Sequence, residues 1–384
     1  MLKSYQSGEG VFDLRIGDVL RITQEISQRI RLENLTLEIT SNCPLRCDFC
    51  SSNVGKCQLM SYSLEEMKGI VDEVLGLGCK DISISGGEPL VHPEILEIAK
   101  YIKDKGICLR IYTSGNVFYG ESVGPLSTSL IRDLKTTGVD RLIFSMHGGD
   151  SNLHDSVTNV KGSFKNLLDS IRIANDFGLK TELHFVVTKK NYKEFPKIYS
   201  IAKQLNVGLI RILRLVPQGA GAATKSMLEL DINETEEFKS IIYSFLDDSA
   251  VPIRIGSHYS ILGFENGNVC TAAVKKASIL PDGYMVPCSS MKEDIFKREE
   301  NNIREHSITE IWYKSSLFVE TRLSLKKILS TPCSKCPHYK SCHGGCPTQR
   351  ILAYGSVEVG PDPLCNMTEI WSSVLVSSIS KNHS

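Results

Sequence analysis

Neither charge dominates this chain. Its 44 Lys and Arg residues balance 44 Asp and Glu over 384 positions, and neither sign runs in long blocks. A broad nucleic-acid or membrane-surface footprint is therefore not expected. Long hydrophobic runs are missing too: no apolar stretch approaches the ~18 residues that a spanning helix needs. The N-terminus also lacks the charged and apolar regions of a signal peptide. The expectation is a soluble, cytoplasmic protein with neither a membrane nor a nucleic-acid partner. That expectation bears on the 13 cysteines, which in a secreted chain would suggest disulfides but in a reducing cytosol, when clustered, point to metal. Ten of them fall in groups. Cys57, Cys79 and Cys108 stand alone and read as small buried thiols.

The tightest group is Cys43-Pro44-Leu45-Arg46-Cys47-Asp48-Phe49-Cys50, directly after the apolar run Leu35 to Ile39. Iron–sulfur clusters usually take four thiolates, so a loop that offers three leaves one iron open to a small molecule. Two other readings of the loop are a zinc site short of one ligand and three structural thiols.

Short apolar runs at 35–40, 81–85, 109–113, 141–146, 181–187 and 209–215 alternate with longer amphipathic stretches. That alternation predicts βα units around a parallel sheet. Ser63 with Glu66 reads as a capping box before Leu64, Met67, Ile70 and Val71 at helical spacing. Pro93 is expected in the first turn of the next helix, and Asn191 with Glu194 at the start of the helix before the sixth strand. Six units leave an open barrel and a doubly wound sheet both possible, and in either the ligands sit at the C-terminal strand ends. The segment 114–126 reads as a loose glycine-bearing loop at that face. Residues 216–223 read as a Gly/Ala linker, followed by a helix from near Asn233 and a short strand at Pro252 to Ile255.

The second strand ends in Ser85-Gly86-Gly87-Glu88-Pro89. Two glycines allow a sharp turn close to a ligand, and the carboxylate can accept hydrogen bonds from an ammonium group. Together with the cysteine loop this pattern resembles the radical S-adenosylmethionine (radical SAM) enzymes. The resemblance implies a partial (βα)6 barrel. It also implies that Phe49 contacts adenine, while Gly86, Gly87, Glu88 and Pro89 hold the amino group of SAM. Thr113, Ser114 and Asn116, with Ser145 and His147, lie where the family places groups for the SAM carboxylate and ribose. A polar turn that merely caps a strand is the plainer reading of those last two segments.

From Cys270 the spacing runs through Gly283 and Cys288 to Cys333, Cys336, Cys342, Cys346 and, after eighteen intervening residues, Cys365. Seven cysteines in that order resemble the SPASM extension of radical SAM proteins, whose last gap is usually about one residue shorter. The resemblance implies that Cys333, Cys336, Cys342 and Cys365 close one four-iron cluster, and that Cys270, Cys288 and Cys346 hold another. With Cys43, Cys47 and Cys50 this makes three [4Fe-4S] clusters. Fully ligated relatives carry a further cysteine shortly before the first of the seven. Here Tyr259 to Val269 holds none, which leaves Glu265, His258, water or substrate for that position. A zinc ribbon is the structural alternative.

The domain organisation expected is a lead-in at 1–33, the barrel at 34–217, a linker and helix at 218–256, and an iron–sulfur domain at 257–384. The activity implied is reductive cleavage of SAM to a 5′-deoxyadenosyl radical that abstracts a substrate hydrogen, with a one-electron reductant such as flavodoxin or ferredoxin. A peptide or protein substrate is the first expectation. About forty residues precede the cysteine loop, too few for a winged-helix peptide-recognition domain, so a small molecule of tetrapyrrole or nucleoside type is the alternative. A non-catalytic iron–sulfur carrier is the reading from another class, and it would not need the Gly86-Gly87-Glu88-Pro89 turn.

Overall fold

The computed structural model describes residues 30–52, 59–256, 270–326, 329, 332–357 and 360–365. The expected lead-in elements, Cys57, His258 and Glu265 lie outside them. Eleven strands are present among the described residues: β1 (Asn34–Thr40), β2 (Asp81–Gly86), β3 (Cys108–Thr113), β4 (Asn116–Tyr119), β5 (Ser122–Pro125), β6 (Arg141–Ser145), β7 (Thr181–Val187), β8 (Ile210–Arg214), β9 (Ile253–Ile255), β10 (Lys276–Ile279) and β11 (Met285–Val286). Nine of them form one sheet in the order β11-β10-β1-β2-β3-β6-β7-β8-β9.

The six strands predicted from apolar runs are β1, β2, β3, β6, β7 and β8, and they lie side by side in chain order, all parallel. A doubly wound sheet would reverse direction at a switch point. The uninterrupted order selects the barrel, and β9 and β11 at the two ends of the sheet leave it open. β10 extends the sheet by pairing parallel to β1, so a strand of the cysteine-rich C-terminal region shares the barrel's hydrogen-bonded framework.

Helices follow the strands as α1 (Leu64–Gly76), α2 (Ile95–Asp104), α3 (Thr128–Thr137), α4 (Ser151–Thr158), α5 (Ser163–Asp176) and α6 (Phe195–Gln204). The Ser63 and Glu66 capping box is present at α1. Pro93 falls just ahead of α2 rather than within its first turn, because Glu94 is the residue that caps it. The Glu94 carboxylate instead accepts the Leu64 N–H across to α1 at 3.0 Å. Asn191 precedes a 3-10 turn, Tyr192–Glu194, without capping it. Its side chain is spent on the Thr188 N–H and on the carbonyls of Val186 and His147.

The segment 114–126 is not a loose loop. β4 and β5 pair as an antiparallel hairpin, closed by Gly120 at φ 61° and pinned to α5 through Asn166, which donates to Asn116 Oδ1 and to the Val123 carbonyl. The expected linker is also ordered: Ala220–Ala223 is a helical turn. Next come the helix Ile232–Tyr243, capped by Asp231, and β9, as the sequence suggests.

Strand alternation explains where the core lies. Leu35, Leu37 and Ile39, with Ile82, Ile84, Leu109, Ile111, Leu142, Phe144, Leu183 and Phe185, join the core cluster that includes the helix residues Met67, Val71, Ile98, Ile131 and Ile171. The alternate positions face the other side of the sheet, and most of them are polar, among them Glu38, Ser83, Tyr112, Glu182, His184 and Arg211, with Ile143, Val186 and Leu213 between them. An ordinary barrel fills its interior with branched apolar side chains. Here the inner face carries an ion network in which Glu182 receives Arg141 at 2.7 Å, Arg211 at 2.9 Å and His184 at 3.0 Å.

Candidate active site and iron–sulfur centres

The cysteine loop leaves β1 at the C-terminal edge of the sheet and is held from three sides. The end of α4 takes two of its amides, Arg46 N–H on the Thr158 carbonyl and Asp48 N–H on Val157. Asn159 donates to the Arg46 carbonyl and to Asp48, and Lys190 pairs with Asp48 at 2.7 Å. From below, the Ala220 N–H reaches the Cys50 carbonyl at 2.9 Å and Thr224 donates to that of Asp48 at 3.0 Å. A methyl group on Gly221 would sit 3.2 Å from the Phe49 carbonyl. The Gly/Ala stretch is thus a docking surface for the loop rather than a passive connector.

The Gly86-Gly87 turn approaches the same loop. Gly87 and Glu88 donate to the Thr40 and Asn42 carbonyls, both at 2.7 Å, and a Cβ on either glycine would collide with one of those oxygens. Glu88 is fully buried. Its Oε1 accepts the Thr113 hydroxyl at 2.8 Å and the Leu90 N–H at 3.2 Å. Its Oε2 accepts the Ser114 N–H and hydroxyl, each at 2.7 Å. Burial raises this carboxyl above its ordinary value, against the pull of those donors. Four donors match the roughly four acceptor positions of a carboxylate, so Glu88 also ties the glycine turn to the end of β3. Pro89 is buried at the head of the 3-10 turn that follows.

Asn116 is spent within the fold, donating to the carbonyls of Ser114 and Ser163. Ser145 ends β6, half-buried and in register with His184. Phe49 and His147 meet edge to face with ring centroids 4.9 Å apart, and His147 stacks on His154 at 5.5 Å. Burial, with His154 alongside, pushes His147 down to about 3, so the imidazole is neutral. Its Nδ1 is buried with no hydrogen-bond partner. That is an orphaned polar atom on the ring that packs against Phe49 of the cysteine loop.

The thiols suit iron–sulfur clusters. Burial, with Glu88 and Cys50 nearby, pushes Cys43 up to about 12, and burial with Cys50 and Cys43 raises Cys47. Neutral thiols are thus favoured until metal replaces the protons. Cys333 is pushed up to about 11 by burial and by Cys365, Cys342 and Cys336, while Cys270 feels Cys288 and Cys346. Arg350, one turn beyond Cys346, is buried with Nε and Nη1 unpartnered, and the charges facing it include Cys333 and Cys346. Cluster sulfides would supply the missing acceptors. Among the described residues no three Cys, His, Asp or Glu side chains close around a single ion. The position proposed for Glu265 or His258 lies outside the described residues.

Sequence reasoning missed two features here. The first is Asp362, whose buried carboxylate takes both Arg214 Nη atoms at 2.8 and 3.0 Å and also the Cys346 N–H at 2.8 Å. The second is the polar inner face of the sheet. Its signal was available, since Glu38, Arg110, Glu182, Arg211 and Lys276 interrupt apolar strands at alternate positions.

Comparison with known proteins agrees with this geometry. Residues 37–202 match the radical SAM superfamily, and residues 270–337 match the SPASM iron–sulfur cluster-binding domain. The AdoMet-dependent heme synthase of Methanosarcina barkeri is 24% identical over 350 residues, 85% of this chain and 94% of that protein. The mycofactocin maturase MftC of Mycolicibacterium smegmatis is 27% identical over 339 residues, 86% of this chain and 82% of that protein. Streptococcus suis SuiB bound to precursor peptide SuiA superposes with a TM-score of 0.72 at 17% identity, covering 95% of this chain and 84% of that one, a likeness of fold. Sheet order, cysteine loop and both family matches lead to one conclusion: the chain belongs to the radical SAM superfamily, as an enzyme of S-adenosylmethionine and iron–sulfur clusters that carries a C-terminal SPASM domain.

Proposed function

We propose that the enzyme oxidatively modifies a peptide or protein, with SAM and one cluster at Cys43, Cys47 and Cys50 and two auxiliary clusters held by the C-terminal cysteines. The observation that carries the substrate class is the polar inner face. Pockets for small molecules are mostly apolar, and a tetrapyrrole would need broad apolar walls. The side chains here instead offer carboxylate, guanidinium, imidazole and phenol groups to a polypeptide. The peptide bound to SuiB and the maturase role in the name of MftC support the same reading.

When bound, the cluster and SAM supply one-electron cleavage of the sulfonium to methionine and a 5′-deoxyadenosyl radical that takes a substrate hydrogen. The chain's own residues fix the geometry. Glu88 offers its carboxylate to the SAM ammonium while Thr113 and Ser114 hold it in place. Phe49 and neutral His147 form the wall for adenine and ribose, with Ser145 nearby. Buried Asn116 keeps the β3 turn in shape, and Gly86, Gly87 and Pro89 bring backbone close to the ligand. Cys333, Cys336, Cys342 and Cys365 close one auxiliary cluster; Cys270, Cys288 and Cys346 hold the other. The reductant is of flavodoxin or ferredoxin type, and the setting is cytoplasmic. The barrel at 34–217 and the iron–sulfur domain at 257–384, joined by 218–256, are the working units.

A small-molecule substrate is the second reading, favoured by the match to a heme synthase along 94% of that protein. Mass spectrometry of anaerobic reactions with the peptide products of neighbouring genes tests the proposal. A peptide lighter by whole hydrogens, formed only with SAM and reductant, is expected. Conversion of a tetrapyrrole with every peptide unchanged would overturn it.

A further inference from the structure

Lys276 is the first residue of β10, level with Asn34 where that strand joins the barrel sheet. Its neighbour Ala277 belongs to the apolar core, so alternation turns Lys276 to the polar inner face. It forms no ion pair with a carboxylate among the described residues. What it faces is sulfur. β10 and β11 pair antiparallel with Ser278 opposite Val286 and Ile279 opposite Met285. Cys288 follows β11 by two residues and so lies close to the start of β10, where Lys276 sits. From the other direction the turn at 271–276 brings Lys276 back beside Cys270. The Lys276 N–H donates to the Thr271 carbonyl at 3.2 Å, and the Lys276 carbonyl accepts the Ala273 N–H at 3.0 Å.

Electrostatics agrees with this placement. The sulfurs of Cys288, Cys270 and Cys346 face the ammonium, with Tyr112 of β3 alongside. Around Cys346, Arg214 is paired with Asp362, while Arg350 faces Cys333 as well as Cys346. Lys276 is the cation beside Cys270 and Cys288.

We propose that Lys276 is a positioning charge for the auxiliary cluster of Cys270, Cys288 and Cys346, raising its reduction potential so that it accepts an electron from substrate at the inner face. The inference rests on the cluster assignment under Proposed function. Reduction adds negative charge to a cluster, and a fixed cation in a partly desolvated site favours the reduced form over the oxidised one. Tyr112 joins this cation to the inner face, where its ring meets His184 at 5.1 Å.

The test is potentiometry followed by electron paramagnetic resonance on reconstituted full-length protein, comparing wild type, Lys276→Gln and Lys276→Arg. The Gln variant should lower the midpoint of this cluster, cutting its reduced-to-oxidised ratio at a fixed poise by about tenfold or more. The Arg variant should stay close to wild type, and the cluster of Cys333, Cys336, Cys342 and Cys365 should be unchanged in both. An unshifted midpoint in the Gln variant overturns the proposal. If the Gln protein fails to load this cluster alone, the Arg protein decides: loading with a wild-type midpoint supports the charge role, and loss assigns a steric one and overturns it. Wild-type protein without iron at this position would instead refute the cluster assignment.

Discussion

Glu88 anchors the fold through four hydrogen bonds and is also the group proposed for the SAM ammonium. A carboxylate that already accepts four hydrogen bonds can hold an ammonium only by sharing or exchanging a donor. Glu88→Ala removes one charge-assisted contact to SAM, worth roughly 1.5–3 kcal/mol, and leaves buried donors on Thr113, Ser114 and Leu90 unmet. Equilibrium dialysis should show SAM binding weakened roughly tenfold to a hundredfold, together with a lower melting temperature from the orphaned donors. Unchanged affinity alongside a lowered melting temperature would confine Glu88 to its structural role. At this scale the sequence was informative about identity and silent about partners. The types at positions 86 to 89 name the ligand chemistry, but nothing local to Glu88 foretells that Thr113 and Ser114 fill its acceptor positions from another strand.

Among the elements, the cysteine loop depends on close backbone approach. Gly87 lies against the Asn42 carbonyl, where any Cβ would collide with backbone. Gly87→Ala must therefore displace the loop, a strain of about 1–3 kcal/mol. Iron analysis should find the variant short by roughly one cluster's content, with the auxiliary clusters retained; full iron loading would show that the loop tolerates the shift. Strands were legible because each carries an apolar face of period two, and α1 was legible because its capping box is local. The β4–β5 hairpin was hidden by Gly, Ser and Pro. Its pairing depends on a turn at Gly120 and on α5, reached through Asn166, about fifty residues along the chain from Asn116. The helical turn at Ala220–Ala223 was hidden for a similar reason, since its role is to meet the Cys50 carbonyl from far along the chain.

Across the whole molecule, barrel and C-terminal region are coupled at several places, and two of them adjoin the cysteines. β10 pairs with β1, and Arg214 of β8 holds Asp362, whose carboxylate also receives the Cys346 N–H while its carbonyl receives that of Cys365. Arg214 and Asp362 are 148 positions apart, so no local pattern announces them. Removing one partner of a buried pair costs about 3–5 kcal/mol, because the other charge stays uncompensated. Denaturant unfolding of Asp362→Ala should show a loss of that order, with iron missing from the C-terminal sites before the Cys43 loop is affected. A loss below about 1 kcal/mol would mean that solvent reaches Arg214.

The central proposal is SAM cleavage at a cluster held by Cys43, Cys47 and Cys50. The most direct measurement is 5′-deoxyadenosine formation by anaerobically reconstituted protein under dithionite, compared with a variant in which these three cysteines are replaced by Ala. Wild type should form 5′-deoxyadenosine, and the triple variant should form none while retaining the iron of its C-terminal clusters. Cleavage of SAM by the triple variant at the wild-type rate would contradict the account.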